Sequence, residues 1–243
     1  MTRALLELAG VSRSFGGVRA VNALSFAVRE AEIVGLIGPN GSGKTTVFNL
    51  ISGVFLPNGG ALTFAGSSLV GRKPHEICSL GIGRTFQIVQ PFNSLTVLEN
   101  VRVGAFRTIG DPARATDEAQ AVLTLVGLSH KRDALPPSLT IADRKRLELA
   151  RALATRPRLL LLDEVMAGLR PAETLEMIEL ARRIHASGVT LLVIEHVMRA
   201  VMSLSHRIVV LHHGEKIAEG TPQEVSRDPE VIRAYLGEEY RPA

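Results

Sequence analysis

Residues 38–45, Gly-Pro-Asn-Gly-Ser-Gly-Lys-Thr, match G-x-x-x-x-G-K-[ST] in full, and few eight-residue strings constrain a fold as tightly. The pattern needs a strand before it and a helix after it, because only then do glycine backbone amides wrap an anion at a helix N-terminus. Both flanks are present. Residues 33–37 form a uniformly apolar run of strand length, and residues 45–52 mix apolar and polar positions with no breaker before Gly53. An ordinary glycine turn before a helix is the bland alternative, but chance matches rarely carry both flanks. Gly38, Pro39, Asn40, Gly41, Ser42, Gly43, Lys44, Thr45 and Thr46 are therefore expected to hold the phosphates of a nucleoside triphosphate, ATP with Mg2+. Lys44 should reach the β- and γ-phosphates, and Thr45 should offer its hydroxyl to magnesium.

A second constraint lies at residues 159–164, four leucines followed by Asp163 and Glu164. A buried strand ending in two carboxylates places Asp163 to complete a magnesium shell and Glu164 to orient or deprotonate water. A strand followed by two solvated acids looks the same in isolation; the phosphate loop upstream favours the chemical reading.

The rest of the chain supplies an α/β frame. Residues 5–11 and 21–28 read as strands around a Gly16-Gly17 turn, residues 61–65 as another strand, and these early strands as antiparallel. Residues 96–154 read as mostly helical, interrupted by Pro136-Pro137, with a helix from about Ala142. After that, strand 159–163, helix 171–186, strand 189–194, helix 197–204 and strand 207–211 alternate as parallel β-α units do. There is no internal repeat and no low-complexity segment. The 243 residues are 46% hydrophobic, enough for a full core, and the formal charge of +4 is spread rather than clustered, a weak argument for nucleic acid. The single cysteine, Cys78, excludes an internal disulfide, and residues 1–15 lack the apolar stretch of a signal peptide. A reducing cytoplasm is the expectation. No apolar run approaches the roughly 18 residues of a spanning helix.

Together these motifs resemble the ATP-binding subunits of ABC transporters, over nearly the whole chain. The resemblance implies a P-loop NTPase core, a RecA-like mixed sheet with helices, plus an N-terminal antiparallel β part and a helical subdomain. It divides a single domain, 1–243, into an α/β core at 1–85 and 155–243 and a helical subdomain at 86–154. It also assigns roles. Phe15 stands where that family stacks an aromatic on adenine, though a strand-end core aromatic looks the same. Gln87, in Arg84-Thr85-Phe86-Gln87, matches the glutamine that contacts magnesium and the attacking water. His196 matches the γ-phosphate histidine. Catalysis would then rest on Glu164, His196 and Gln87, and the metal on Thr45, Gln87 and Asp163.

Several stretches are similar to the branched-chain amino acid uptake branch: residues 83–87 with 95–100, Ala167-Gly168-Leu169, and the tail at 218–222 and 231–237. That likeness implies permease subunits in the membrane, a second ATPase subunit in a hetero- or homodimer, a periplasmic binding protein met indirectly, and no nucleic acid. It implies a peripheral place on the cytoplasmic face of the inner membrane. The transported solute is not readable from these residues.

Two segments depart from the family pattern. Its signature Leu-Ser-Gly-Gly-Gln aligns with Leu139-Thr140-Ile141-Ala142-Asp143. Thr140 keeps a hydroxyl and caps a helix, but Ile141 and Ala142 replace glycines, and the Asp143 charge opposes a phosphate. The segment reads equally as a variant signature or as a well-capped helix start. Arg170 stands where the family usually carries Asp and this branch often Asn. The leading reading is a transport ATPase. A non-transport ATPase of the superfamily, a kinase or GTPase, and a low-turnover regulatory subunit are the alternatives; the chain lacks both the length for the first and an Asn-Lys-x-Asp guanine motif for the second.

Overall fold

A computed structural model describes residues 4–87 and 90–236. In chain order the elements are strands β1 (Ala4–Phe15), β2 (Val18–Arg29) and β3 (Ile33–Ile37), helix α1 (Lys44–Ile51), strands β4 (Gly59–Phe64) and β5 (Ser67–Ser68), helix α2 (Pro74–Leu80) and strand β6 (Ile82–Arg84). Helices α3 (Val97–Ala105), α4 (Pro112–Val126) and α5 (Ile141–Leu153), strand β7 (Leu159–Asp163), helix α6 (Pro171–Ala186), strand β8 (Thr190–Ile194) and helix α7 (Met198–Leu204) follow. Strands β9 (Arg207–His212) and β10 (Glu215–Gly220) and helices α8 (Pro222–Val225) and α9 (Pro229–Leu236) complete the described chain. No described helix is long and apolar enough to cross a membrane.

The chain divides into two units, residues 1–80 with 190–243, and residues 81–189. In the first unit β2, β1, β4 and β5 form an antiparallel sheet in that order. Its inward face comes from Leu6, Leu8, Val11, Val21, Leu24, Phe26 and Val28, each at most 5% exposed. Alternation with polar neighbours explains the half-buried strands, and bulges near Gly10 and Ala23, both at positive φ, shift the register. A second sheet in this unit runs β10, β9, β3, β8, with β3 parallel to both β8 and β9. Each residue of β3 and β8 is buried, which is why both read as unbroken apolar runs. Ile37, the residue before the phosphate loop, shares an apolar cluster with Val201, Ile208, Val210, Val225 and Val231. The C-terminal helices thus pack under the strand that aims the loop.

One ion pair closes the edge of this unit. Arg207 grips Glu32 through two bonds, Nε to Oε1 at 2.9 Å and Nη2 to Oε2 at 3.0 Å, and also bonds Glu219. Burial pushes the Glu32 carboxyl up, but the bonds and charge of Arg207, helped by the Arg29 amide, outweigh it and hold the group below its ordinary 4.5. The unfolded chain therefore takes up this proton first. The stability from the pair is present above the ordinary value and is lost as pH falls through the lowered one. Glu32→Gln is expected to cost about 2 kcal/mol at neutral pH. Denaturant titrations across the acid range should show the deficit vanish there; a deficit independent of pH would contradict the assignment.

The second unit holds the parallel pair β6 and β7 and the helices α3 to α6. Here the helical reading of residues 96–154 resolves into α3, α4, two short 3-10 turns and α5. Thr96 and Glu99 form a capping box at α3. Buried Asn100 donates to the Phe92, Leu95 and Thr96 carbonyls and accepts from the Phe92 amide, fixing the loop that enters the helix. Sequence reading missed β5, α2, β6, β10, α8 and α9. β6 is three residues long, and Pro-His-Glu-Ile-Cys-Ser-Leu of α2 buries only Ile77, so neither carries a readable period.

Candidate functional site

The phosphate loop leaves β3 at Gly38 and enters α1 at Lys44. Its glycines are required by geometry. Gly43, the residue before the helix, sits at φ 104, a conformation costly for any side chain. A Cβ there would overlap the Ala20 carbonyl oxygen, and one on Gly38 would overlap that of Leu211. No side chain caps α1, and its first turn contains no acid, so its leading amides and positive dipole end lack a built-in anion. The Gly214 amide donates to the Ser42 carbonyl at 3.0 Å. Lys44 is 5% exposed and donates to the Gly38 carbonyl at 2.7 Å and the Pro39 carbonyl at 3.0 Å. Asn40, Gly41 and Thr45 are exposed, while Pro39 and Thr46 are half-buried. A loop with an uncapped helix start and a folded-back lysine fits a polyphosphate.

Elsewhere in this unit, Phe15 ends β1 and is 39% exposed. The Arg13 guanidinium lies 4.7 Å from its ring centre, and Phe55 meets it edge-on at 5.0 Å. His196 is exposed just beyond β8.

In the second unit the two acids terminate β7. Asp163 is 3% exposed and pairs with Arg84 Nη2 at 3.0 Å. Glu164 has φ 50, a left-handed conformation that side-chain-bearing residues adopt at a cost of order 1 kcal/mol. Lys145, itself buried, donates to the Glu164 carbonyl at 2.9 Å and helps hold it there. Gln87 Nε2 donates to the Glu164 carboxylate at 2.6 Å. Gln87, Asp163 and Glu164 are thus gathered in this unit. Sequence reasoning did not single out Arg84 as a functional residue, nor Lys145, Glu148 and Arg151 on α5. Burial raises the Glu148 carboxyl, outweighing the lowering effect of Arg151 and of the Phe86 amide. Arg151 donates to Glu148 at 3.0 Å and to the Gln90 carbonyl at 2.9 Å. Side chains of α5 thereby reach the Glu164 and Gln90 carbonyls.

The altered signature starts that same helix. Thr140 caps α5, accepting from the Asp143 amide at 3.2 Å. Its hydroxyl donates to Asp143 Oδ2 at 2.7 Å, and Lys131 Nζ reaches the same oxygen at 2.5 Å. Burial raises the Asp143 carboxyl, but Lys131 and Thr140 outweigh that and hold it below its ordinary value. Arg170 stands at the N-cap position of α6 with no side-chain cap bond; its amide donates to Glu173 Oε2 at 2.9 Å and its Nη2 to Oε1 at 2.7 Å.

Hard oxygens stand at the positions where the sequence led us to expect a metal: the Thr45 hydroxyl in the first unit, and the Asp163 carboxylate and Gln87 carbonyl in the second. Among the described residues no three His, Cys, Asp or Glu side chains form a cage. Hard oxygens are the donors magnesium takes, usually one or two carboxylates together with substrate phosphates.

Residues 21–167 match the family described as ABC transporter, and residues 215–241 match the one described as branched-chain amino acid ATP-binding cassette transporter. The chain belongs to the ABC transporter family. It is an ATP-binding subunit of that family, and such subunits are ATPases. Among its relatives, the high-affinity branched-chain amino acid transport ATP-binding protein LivG of Salmonella typhimurium is 42% identical, covering 98% of this chain and 100% of LivG. The protein of the same description named BraF, from Pseudomonas aeruginosa, is 40% identical with the same coverage. A crystal structure of the ADP conformation of an ATP-binding cassette superposes with TM-score 0.88 at 31% identity, covering 98% of this chain and 100% of that one. The ABC ATPase fold, mixed sheet and antiparallel N-terminal part included, is the one anticipated from the sequence.

Proposed function

We propose that this ABC subunit hydrolyses ATP to drive uptake of branched-chain amino acids or a related small solute, from the cytoplasmic face of the inner membrane. The observation that carries the reading is the end-to-end likeness to LivG and BraF, tail included. Its partners are permease subunits, a second ATPase subunit and, indirectly, a periplasmic binding protein. The residues lining an open groove in the second unit, Gln90, Pro91, Asn93, Pro137 and Arg144, suit a docking segment of a permease. The likeness to transport ATPases does not favour a low-turnover regulatory role.

Hydrolysis is an in-line attack of water on the γ-phosphate, with catalysis by positioning and charge stabilisation. Phe15 stacks on adenine and residues 38–46 cradle the phosphates. Lys44 and His196 stabilise charge on the γ-phosphate, while Glu164, oriented by Gln87, takes the proton from water. Thr45, Gln87 and Asp163 would hold magnesium, which would neutralise phosphate charge.

The start of α5 supports a weakened signature toward the partner's nucleotide. The Asp143 carboxylate already fills the place of an anion at this helix end, using the Thr140 proton and the Lys131 charge. One reconstituted complex tests both claims. Its ATPase should rise several-fold with solute-loaded binding protein, and rise further with Ile141→Gly, Ala142→Gly and Asp143→Gln together. No response to solute would sink the transport reading; unchanged or lower turnover in the triple variant would sink the weakening.

A further inference from the structure

The acids at the end of β7 are held by four consecutive residues that enter from β6. Arg84 pairs with Asp163 at 3.0 Å, both side chains nearly buried at 8% and 3% exposure. The Arg84 guanidinium also lies 5.0 Å from the Phe86 ring centre. Between them, Thr85 is sewn to β7: its amide and hydroxyl donate to the Leu161 carbonyl at 2.9 and 3.3 Å, and its hydroxyl oxygen accepts from the Asp163 amide at 3.0 Å. Gln87 then closes on Glu164 at 2.6 Å.

A carboxylate buried this deeply requires a cation close by. Magnesium would approach a ligand oxygen to about 2.1 Å. A guanidinium 3.0 Å from Asp163 Oδ2 and a divalent ion on the same carboxylate repel strongly at low dielectric. The two cations therefore compete.

We propose that Arg84 is a resident counter-ion of Asp163 that magnesium must displace, and that the exchange is relayed through residues 84–87 to the Gln87 contact with Glu164. Arg84 is then a positioning residue that tunes metal affinity and links metal entry to the loop carrying Gln87. The inference rests on the reading of Asp163 as a magnesium ligand.

The full-length chain tests it with a fluorescent ADP analogue titrated with magnesium chloride. Arg84→Gln should lower the half-saturating magnesium concentration about tenfold by removing the competing charge, and Arg84→Lys should stay near wild type. Without magnesium, Arg84→Gln should melt well below wild type; with magnesium the gap should narrow. An unchanged or raised magnesium requirement in Arg84→Gln overturns the inference while leaving Asp163 as a ligand. A magnesium requirement that survives Asp163→Asn overturns both. Should Arg84→Gln not fold, the wild-type chain decides by nitrogen NMR of the arginine side chains, with the Arg84 signal assigned by its loss in Arg84→Lys. That signal should shift as magnesium and ADP saturate the protein; a signal that stays unmoved overturns the competition.

Discussion

Replacing Glu164 with Gln is expected to slow ATP turnover by at least about a hundredfold, the scale of a lost general base, with nucleotide binding retained. Gln is nearly isosteric, and its amide oxygen still accepts the Gln87 Nε2–H that now ends on Glu164 at 2.6 Å. Lys145 holds the backbone carbonyl at 2.9 Å, a contact the substitution leaves in place. The left-handed backbone at φ 50 is shared by both residues. Stability should therefore move by less than about 1 kcal/mol, and the loss should fall on the chemical step. Single-turnover hydrolysis by the assembled complex, beside filter-binding of ATP, separates the two. Rates equal to wild type would remove Glu164 as the base and leave Gln87 or His196 to orient water alone.

The strand end that carries Glu164 was legible because local chemistry writes it: Leu159 to Leu162 are each 0% exposed, and a fully buried strand reads as an unbroken apolar run. The phosphate loop was legible for a similar reason, since its glycines answer backbone demands set within a few residues. What holds the acids was hidden. Arg84 and Asp163 are 79 positions apart and Lys145 and Glu164 are 19 apart, so no local period brings either pair together. Asp143 illustrates the boundary. Its charge at a helix start was visible in the sequence, but its neutralisation by Lys131 12 residues earlier depends on how a 3-10 turn folds back. Local pattern sets each element, while tertiary contacts decide which charges are already satisfied.

The second large effect concerns Lys44. In Lys44→Met, affinity for ATP should fall by about a hundredfold or more, the cost of removing one partner of a close charge pair. The Lys44 ammonium is 5% exposed and bonds the Gly38 and Pro39 carbonyls at 2.7 and 3.0 Å, which are neutral acceptors. Bonds to neutral carbonyls are weaker than bonds to a charged oxygen. A lysine bond to a phosphate is charge-assisted at both ends. Losing Lys44 therefore removes more from the bound state than from the free one. Calorimetric titration with ATP and a melting curve taken without nucleotide measure the two sides separately. If Lys44→Met binds ATP as wild type does, the phosphate contact assigned to this lysine is wrong. If instead it melts far lower, the loop needs the lysine for its own shape, and the loss of affinity cannot be credited to a phosphate bond.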